Sequence, residues 1–214
     1  MSARAVLNVG SGPPGANRLH AAFRKDGWRE VRLDIDPSVE PDVVSDMTDM
    51  RGKVADASFD ALWSSHNIEH LAAHDVAKAL GEWTRVLADD GFALVTCPDI
   101  EAVARLVVEK GLDAVAYQSP AGLITARDML WGHGASIAAG HGFMAHRTGF
   151  CAQSLGEAAL DAGFAEVRVA KTPFALWALC LMPDADARRI EALFTDTPEG
   201  ALFCEEPAGA PALP

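Results

Sequence analysis

The stretch VLNVGSGPPG, residues 6–15, joins an apolar run to a turn that contains three glycines and two prolines. The apolar run predicts a buried strand, and the glycines follow it in the spacing G-x-G-x-x-G that precedes a helix in nucleotide-binding folds. Glycine allows a tight turn and lets a ligand approach the backbone closely. Pro13 and Pro14 have no N–H, so the turn is poorly suited to hold a pyrophosphate. The stretch therefore predicts a ligand site at the end of a first strand and disfavours a dinucleotide.

The same kind of alternation continues along the chain, because short apolar runs are separated by longer amphipathic segments. This order is typical of an α/β protein with a doubly wound, mostly parallel sheet. Strands are predicted at Ala5–Val9, Val31–Ile35, Val43–Ser45, Ala61–Ser64, Phe92–Thr96, Glu166–Lys171 and Ala175–Leu181. Helices are predicted at Ala16–Asp26, Ala73–Ala88, Glu101–Lys110, Ser154–Leu160 and Asp186–Leu193. The last two strands are close enough in sequence to be antiparallel neighbours.

The length of 214 residues favours one domain, which we place at residues 1–204. Residues 111–150 are rich in glycine, histidine and aromatic residues and predict a loop-like substrate cap. Aromatic and thioether side chains there could cover a substrate and exclude water: Trp131, Phe143, Met144 and Phe150. Residues 205–214, rich in Pro, Ala, Gly and Glu, predict a flexible tail.

Composition excludes several classes of partner. The net charge is -12 and no basic cluster occurs, which argues against a nucleic-acid partner. No apolar run is long enough to span a membrane, and the chain enters its first strand within a few residues, without room for a signal peptide. The four cysteines are far apart and predict free thiols in a reducing compartment. We therefore expect a cytoplasmic protein, and a homodimer is left open.

Acidic residues follow the second and third predicted strands, where ligands bind in open α/β sheets. Asp34 is favoured as the acceptor of two ribose hydroxyls, while Asp36 is favoured as the cap of the following turn. Asp46 could accept a hydrogen bond from an adenine amino group, with Met47 packed on the ring. Asp49 competes for that role, and either residue could serve only the loop.

Six segments together resemble the class I S-adenosylmethionine-dependent methyltransferases, in particular the small-molecule, type 11-like group. They are VLNVGSG, RLDIDP, SDM, SFDALWSSHNIEHL, EWTRVLADDGFALVTCPD and LDAGFAEVRV, between residue 5 and about residue 181. The resemblance implies a Rossmann-like, seven-stranded sheet whose last strand is antiparallel. It also implies methyl transfer from S-adenosyl-L-methionine to a small or medium-sized acceptor, with S-adenosyl-L-homocysteine as product.

The resemblance places the cofactor on residues at the ends of the first four strands. These are Asn8, Gly10, Ser11, Gly12, Asp34, Ile35, Asp46, Met47, Ser64 and His66. The chain departs from the family where an acidic residue is common at the position of Asn8, and where Pro14 occupies the third glycine position. These departures keep open a non-catalytic cofactor-binding or partner-subunit module of the same fold. An NAD(P)-dependent oxidoreductase is disfavoured by the prolines and the antiparallel ending.

The histidines predict the acceptor side of the site. His66, His141 and His146 are the candidate catalytic residues, since a histidine can act as general base near neutral pH. Hydrogen bonding of the last two to loop carbonyls is an equal alternative. The stretch from His66 to His70 also matches the zinc-protease pattern H-x-x-E-H, but that chemistry needs a helix, and this stretch follows a strand. We therefore predict no metal site, and expect Glu69 and His70 to brace the next helix.

Overall fold

The computed structural model describes residues 3–15, 18–119 and 122–203, so Cys204 and the predicted tail lie outside the described residues. The strands are β1 (Arg4–Val9), β2 (Trp28–Asp34), β3 (Val43–Val44), β4 (Phe59–Ser65), β5 (Leu87–Pro98), β6 (Val115–Ser119), β7 (Gly122–Thr125), β8 (Glu166–Thr172) and β9 (Ala175–Leu181). The α-helices are α1 (Val76–Val86), α2 (Ile100–Lys110), α3 (Ala126–Trp131), α4 (Gly134–Ala138), α5 (Ala152–Asp161), α6 (Ala187–Phe194) and α7 (Gly200–Phe203).

Seven strands form one sheet in the order β3-β2-β1-β4-β5-β9-β8. The first five in the chain pair in parallel, whereas β9 is antiparallel to both β5 and β8. The predicted seven-stranded sheet with an antiparallel last strand is therefore confirmed. The chain moves outward from β1 in one direction and later from β4 in the other, so the switch in strand order lies between β1 and β4.

Both faces of the sheet are covered, as the doubly wound prediction requires. On one face Leu80 and Trp83 of α1 and Leu155 of α5 are almost completely buried against the strands. On the other face Phe23 and Phe194 are buried in a second apolar cluster. This coverage explains why the central strands are continuously apolar rather than alternating.

The predicted helix Ala16–Asp26 is not observed among the described residues of that segment, which contain only a 3-10 turn at Ala21–Arg24. The His20 side chain accepts a hydrogen bond from the Ala22 amide and caps this turn, five residues after the predicted start of the helix. The indole of Trp63 donates to the Arg18 carbonyl oxygen at 2.7 Å, which ties Arg18 to β4. Local propensity is overridden here by contacts with β4.

The start of α5 also differs from the prediction, because Cys151 rather than Ser154 is the N-cap residue. Ser154 lies at the third helical position, and its Oγ accepts a hydrogen bond from the Cys151 amide at 3.0 Å. The helix therefore begins at Ala152, two residues before the predicted start at Ser154.

The segment predicted to be loop-like, residues 111–150, contains the β6–β7 hairpin, α3 and α4. Ile124 and Met129 from this segment pack with Val103 and Leu106 of α2 in a small apolar cluster. Phe150, predicted to cover a substrate, is instead buried in the main core. In the described part of the chain, the helices are too short or too polar to cross a membrane.

Candidate active site

The turn after β1 is held in an open loop that only glycine adopts easily. Gly10 and Gly12 have φ values of +68° and +61°. The amides of Gly10 and Ser11 both donate to the Leu33 carbonyl oxygen, which binds the turn to the end of β2. Ser11 itself is buried. The turn therefore lies at the carboxyl edge of the sheet, with its first two amides bonded to the end of β2.

Gly10 is required for a second reason, because another side chain occupies the space beside it. A Cβ atom at this position would lie 2.4 Å from Cγ of Asn67, which follows β4. Asn67 in turn donates to Sδ of Met47 at 3.6 Å. The turns after β1, β3 and β4 thus contact each other at one place.

Asp34 joins the first two turns. One carboxylate oxygen accepts from the Gly12 amide at 2.8 Å, and the other accepts from the Asp36 amide at 3.0 Å. Each carboxylate oxygen can accept a further hydrogen bond. Asp36 caps the 3-10 turn Pro37–Val39 by accepting from the Ser38 amide, as predicted. The neighbouring Ile35 is exposed.

Asp46 lies after β3 and shapes its own turn. One of its oxygens accepts from both the amide and the hydroxyl of Thr48, each at 2.8 Å. The loop role that the sequence left as an alternative is therefore present. Asp46 is exposed, and its other carboxylate oxygen takes no part in these two bonds.

A cavity of 420 Å³ opens between the ends of β1 and β4, at the switch in strand order. Its lining residues come from β1 and the glycine turn, from the segment before β2, from β4 and from the segment between α6 and α7. They are Asn8, Gly10, Arg18, Leu19, His20, Ala21, Arg24, Trp63, Ser65, Pro198 and Glu199. Of the predicted cofactor residues, only Asn8 and Gly10 line it. A second cavity, of 750 Å³, lies beside α1 and away from the strand ends.

Arg18, His20 and Glu199 line this cavity but carry no recognisable motif. Nε2 of His20 lies 3.1 Å from Oε2 of Glu199, although 179 positions separate them in the chain. Burial lowers the pKa of His20, and the nearby Glu199 opposes this shift only in part. No local pattern could have identified this pair, because it forms only when the end of the chain folds back over the sheet.

Two predicted residues lie deeper than expected. Asn8 is buried, and its amide donates to the Glu30 carboxylate on β2 at 2.7 Å. Ser64 is completely buried at the end of β4, and its hydroxyl has no hydrogen-bond partner among the described residues. The adjacent Ser65 lines the cavity instead.

The candidate histidines lie in two separate places: His66 and His146 belong to a cluster around Glu69 and His70, and His141 lies elsewhere on the cap. His66, with a φ of +48°, lies directly after β4, and its Nδ1 is 3.4 Å from Oε1 of the buried Glu69. The rings of His70 and His146 have centroids 5.0 Å apart. His141 is exposed on another part of the cap, near enough to Asp36 to help lower the pKa of that carboxyl, whose main cause is the Ser38 hydrogen bonds.

The electrostatics of the histidine cluster favour an ionised Glu69 carboxylate. Burial acts to raise the pKa of Glu69, but the contact with His66 and the charges of His66 and His70 outweigh it and lower the pKa. Burial lowers the pKa of His146. His146 is therefore a neutral imidazole at pH 7.

Comparison with known proteins places this arrangement in context. Residues 7–95 match the family described as methyltransferase domain, which spans β1 to β5. No curated protein sequence matches the chain. The family match covers the three turns that meet beside Gly10.

Solved structures share the fold at low sequence identity. An S-adenosylmethionine-dependent methyltransferase from Archaeoglobus fulgidus is 12% identical, with a TM-score of 0.55, over 83% of this chain and 86% of that one. The 1,6-didemethyltoxoflavin-N1-methyltransferase of Burkholderia thailandensis, with bound S-adenosylhomocysteine, is 16% identical with a TM-score of 0.51, over 86% and 72% of the two chains.

A third similar structure is phosphoethanolamine N-methyltransferase 2 of Haemonchus contortus, in complex with S-adenosyl-L-methionine. It is 13% identical with a TM-score of 0.54, over 85% of this chain and 49% of that one. These likenesses establish the fold. Residues 7–95 therefore match a methyltransferase domain, and the chain shares its fold with S-adenosylmethionine-dependent methyltransferases.

Proposed function

We propose that the protein transfers the methyl group of S-adenosyl-L-methionine to a small or medium-sized acceptor. The observation that carries the proposal is the cavity between the ends of β1 and β4, beside a turn fixed to the Asp34 carboxylate. Ligands of open α/β sheets bind at this switch in strand order. The turn contains Pro13 and Pro14 and offers few amides for a phosphate, whereas a nucleoside with a methionine tail needs none.

In this proposal the nucleoside lies across the ends of β2 and β3. Asp34 accepts the ribose hydroxyls on the lone pairs that its two backbone bonds leave available. Asp46 and Met47 border the adenine, and Ile35 offers an exposed apolar surface to the ring. The methionine end then lies toward Asn8 and the 420 Å³ cavity.

The acceptor side is formed by residues 111–150 and the segment after β4. Methyl transfer is an in-line displacement in which the acceptor atom bonds to the methyl carbon as its bond to sulfur breaks, leaving S-adenosyl-L-homocysteine. Orientation and exclusion of water supply much of the catalysis. Where the acceptor must lose a proton, His66 is the first candidate base, because it follows Ser65 of the cavity. His146 belongs to the same cluster, where its ring packs against that of His70, and His141 lies on another part of the cap.

A second function is favoured by one observation, the buried amide of Asn8. It stands where the family commonly has a carboxylate, and it is already bonded to Glu30. A neutral, occupied side chain would orient the amino group of the methionine end less strongly. A chain that binds the cofactor weakly or not at all would serve instead as a partner subunit.

Calorimetric titration with S-adenosyl-L-homocysteine and, separately, with NADH tests these alternatives. We expect micromolar binding of the first ligand alone. Asp34→Ala should weaken it by roughly 100-fold or more, since each hydrogen bond to a charged group contributes about 1.5–3 kcal/mol. Asp161→Asn, a matched change at the end of α5, should leave it unchanged. Circular dichroism controls for folding, because Asp34 also holds the Gly12 amide.

Each outcome decides between the candidates. Equal affinity in wild-type protein and Asp34→Ala would overturn the ribose assignment. Binding of neither ligand would support the partner-subunit function, and binding of NADH alone would support an oxidoreductase.

A further inference from the structure

Glu69 is the most unusual polar residue in the described part of the chain. It is 1% exposed, and neither of its carboxylate oxygens has a well-formed hydrogen bond to any described residue. The nearest approach is that of His66 Nδ1, 3.4 Å from Oε1. Buried charges in proteins are paired, hydrogen-bonded or coordinated to a metal. The first two arrangements account poorly for this carboxylate.

Protonation does not resolve the difficulty. A neutral carboxylic acid gains an O–H that must also find an acceptor when it is buried. An ion pair with His66 is weak, because that side chain is 47% exposed and the contact is long. Glu69 therefore has acceptor capacity that the surrounding protein groups leave unused.

His146 has one nitrogen that its own hydrogen bond leaves available. Its Nδ1 lies 2.9 Å from the Met129 carbonyl oxygen, which fixes the N–H on that atom and leaves a lone pair on Nε2. Histidines that bind metals commonly donate their other N–H to a backbone carbonyl in this way.

His70 is held between two carbonyl oxygens. Its Nδ1 lies 3.2 Å from the Ala145 oxygen, and its Nε2 lies 3.1 Å from the His66 oxygen. A neutral imidazole has one N–H, so it can donate to only one of them. In a neutral ring one of the two nitrogens therefore carries a lone pair, and that nitrogen can reach a metal ion when the ring rotates away from its carbonyl oxygen.

We propose that Glu69, His70 and His146 bind a divalent transition-metal ion of the Zn²⁺ type. One donor atom from each lies within 4.8 Å of the others. A tetrahedral zinc with bonds of about 2.0–2.2 Å needs donors roughly 3.4 Å apart, so small side-chain rotations complete the site. Two imidazoles and one carboxylate suit Zn²⁺ and its neighbours better than Mg²⁺, which prefers oxygen donors.

The site differs from the zinc-protease arrangement that the H-x-x-E-H pattern suggests. Glu69 and His70 lie on a 3-10 turn, Ile68–His70, rather than on an α-helix. The third donor, His146, comes from the cap, and only the fold brings it near Glu69.

The ion would join the cap to the end of β4. The amides of Arg147 and Thr148 already donate to the Glu69 carbonyl oxygen at 2.8 and 3.2 Å. Metal ligation adds side-chain bonds at the same junction. This inference goes beyond the proposed methyl transfer, since it concerns the protein without cofactor or acceptor.

Binding of Zn²⁺ to tag-free, chelator-treated protein tests the site by calorimetry, with Co²⁺ absorption as a report on ligand geometry. We expect one ion per chain. Glu69→Gln and His146→Gln should each weaken binding by more than the about 10- to 100-fold typical of outer-shell partners. His74→Gln is the matched control, because His74 is exposed and lies outside the cluster.

Thermal unfolding separates ligation from misfolding. Zn²⁺ should raise the Tm of wild-type protein and of His74→Gln, but not that of Glu69→Gln, whose circular dichroism should match wild type. Absence of one-to-one binding, equal affinity in Glu69→Gln, or tighter binding of Mg²⁺ than of Zn²⁺ would overturn the proposal. None of these results depends on binding of S-adenosyl-L-homocysteine, so failure of the metal site and failure of the proposed function can be distinguished.

Discussion

Replacement of Gly10 by alanine should disrupt the candidate site far more than the same replacement at Gly15. Both glycines have positive φ, +68° and +77°, so alanine meets a backbone cost of about 1–2 kcal/mol at either position. Gly15 has no described heavy atom within 4 Å of an added Cβ, whereas at Gly10 that atom would lie 2.4 Å from Cγ of Asn67. Because Cγ of Asn67 belongs to a half-buried side chain that can turn aside, the added cost lies at the lower end of the about 1–3 kcal/mol typical of overpacking.

Urea unfolding measures the free energy of unfolding of each variant. Gly15→Ala should lose about 1–2 kcal/mol and Gly10→Ala about 2–3 kcal/mol. Asn67→Ala should restore most of the difference in the double variant, because it removes the atoms that the new methyl group meets. Affinity for S-adenosyl-L-homocysteine should fall in Gly10→Ala and recover only in part. Equal losses at the two glycines, or no coupling with Asn67, would refute the steric argument.

Three further changes test the core and its charges. Glu82→Gln should cost about 3–5 kcal/mol at pH 7, because it leaves Arg85 half-paired in a buried bond at 2.8 Å. The Arg85 hydrogen bond lowers the pKa of Glu82, so the wild-type protein loses this stabilisation as the pH falls below the ordinary value of 4.5. The stability difference between wild type and Glu82→Gln, measured by urea unfolding at each pH, should therefore shrink. Burial lowers the pKa of His20, so as the pH falls below 6.5 the unfolded chain binds a proton before the folded protein does, and the wild type loses stability. In His20→Asn the free energy of unfolding should fall less steeply with pH in this range; an unchanged slope would contradict this. Phe194→Ala should cost about 3–5 kcal/mol, and Val108→Ala, at an 87% exposed position, almost nothing in the same assay.

The fold was predictable where the chain carries local, repeated signals. The apolar runs of β1, β4 and β5 are long enough to be recognised without their neighbours, and the close pair β8 and β9 implies a hairpin. The segment 111–150 was not predictable, because its elements are short and are stabilised by packing against α2. The missing helix before β2 has the same origin, since Trp63 fixes the Arg18 carbonyl from a distant strand.

The candidate site was predictable only where it lies on strand ends. Gly12 and Asp34 follow their strands directly, and the structure joins them by a hydrogen bond. Glu199 gives no such signal, since its partner His20 lies at the other end of the chain. The burial of Glu69 was equally hidden, because an H-x-x-E-H pattern does not reveal which side chain faces the interior.

The contact between His20 and Glu199 makes the C-terminal region part of the binding equilibrium. A ligand that contacts Glu199 stabilises the docked position of α6 and α7, and by thermodynamic reciprocity their docking strengthens that ligand's affinity to the same degree. Anything attached beyond α7 that pulls on this region would therefore act at a distance on what the cavity holds. Docking of α6 and α7 and occupancy of the cavity would then depend on each other.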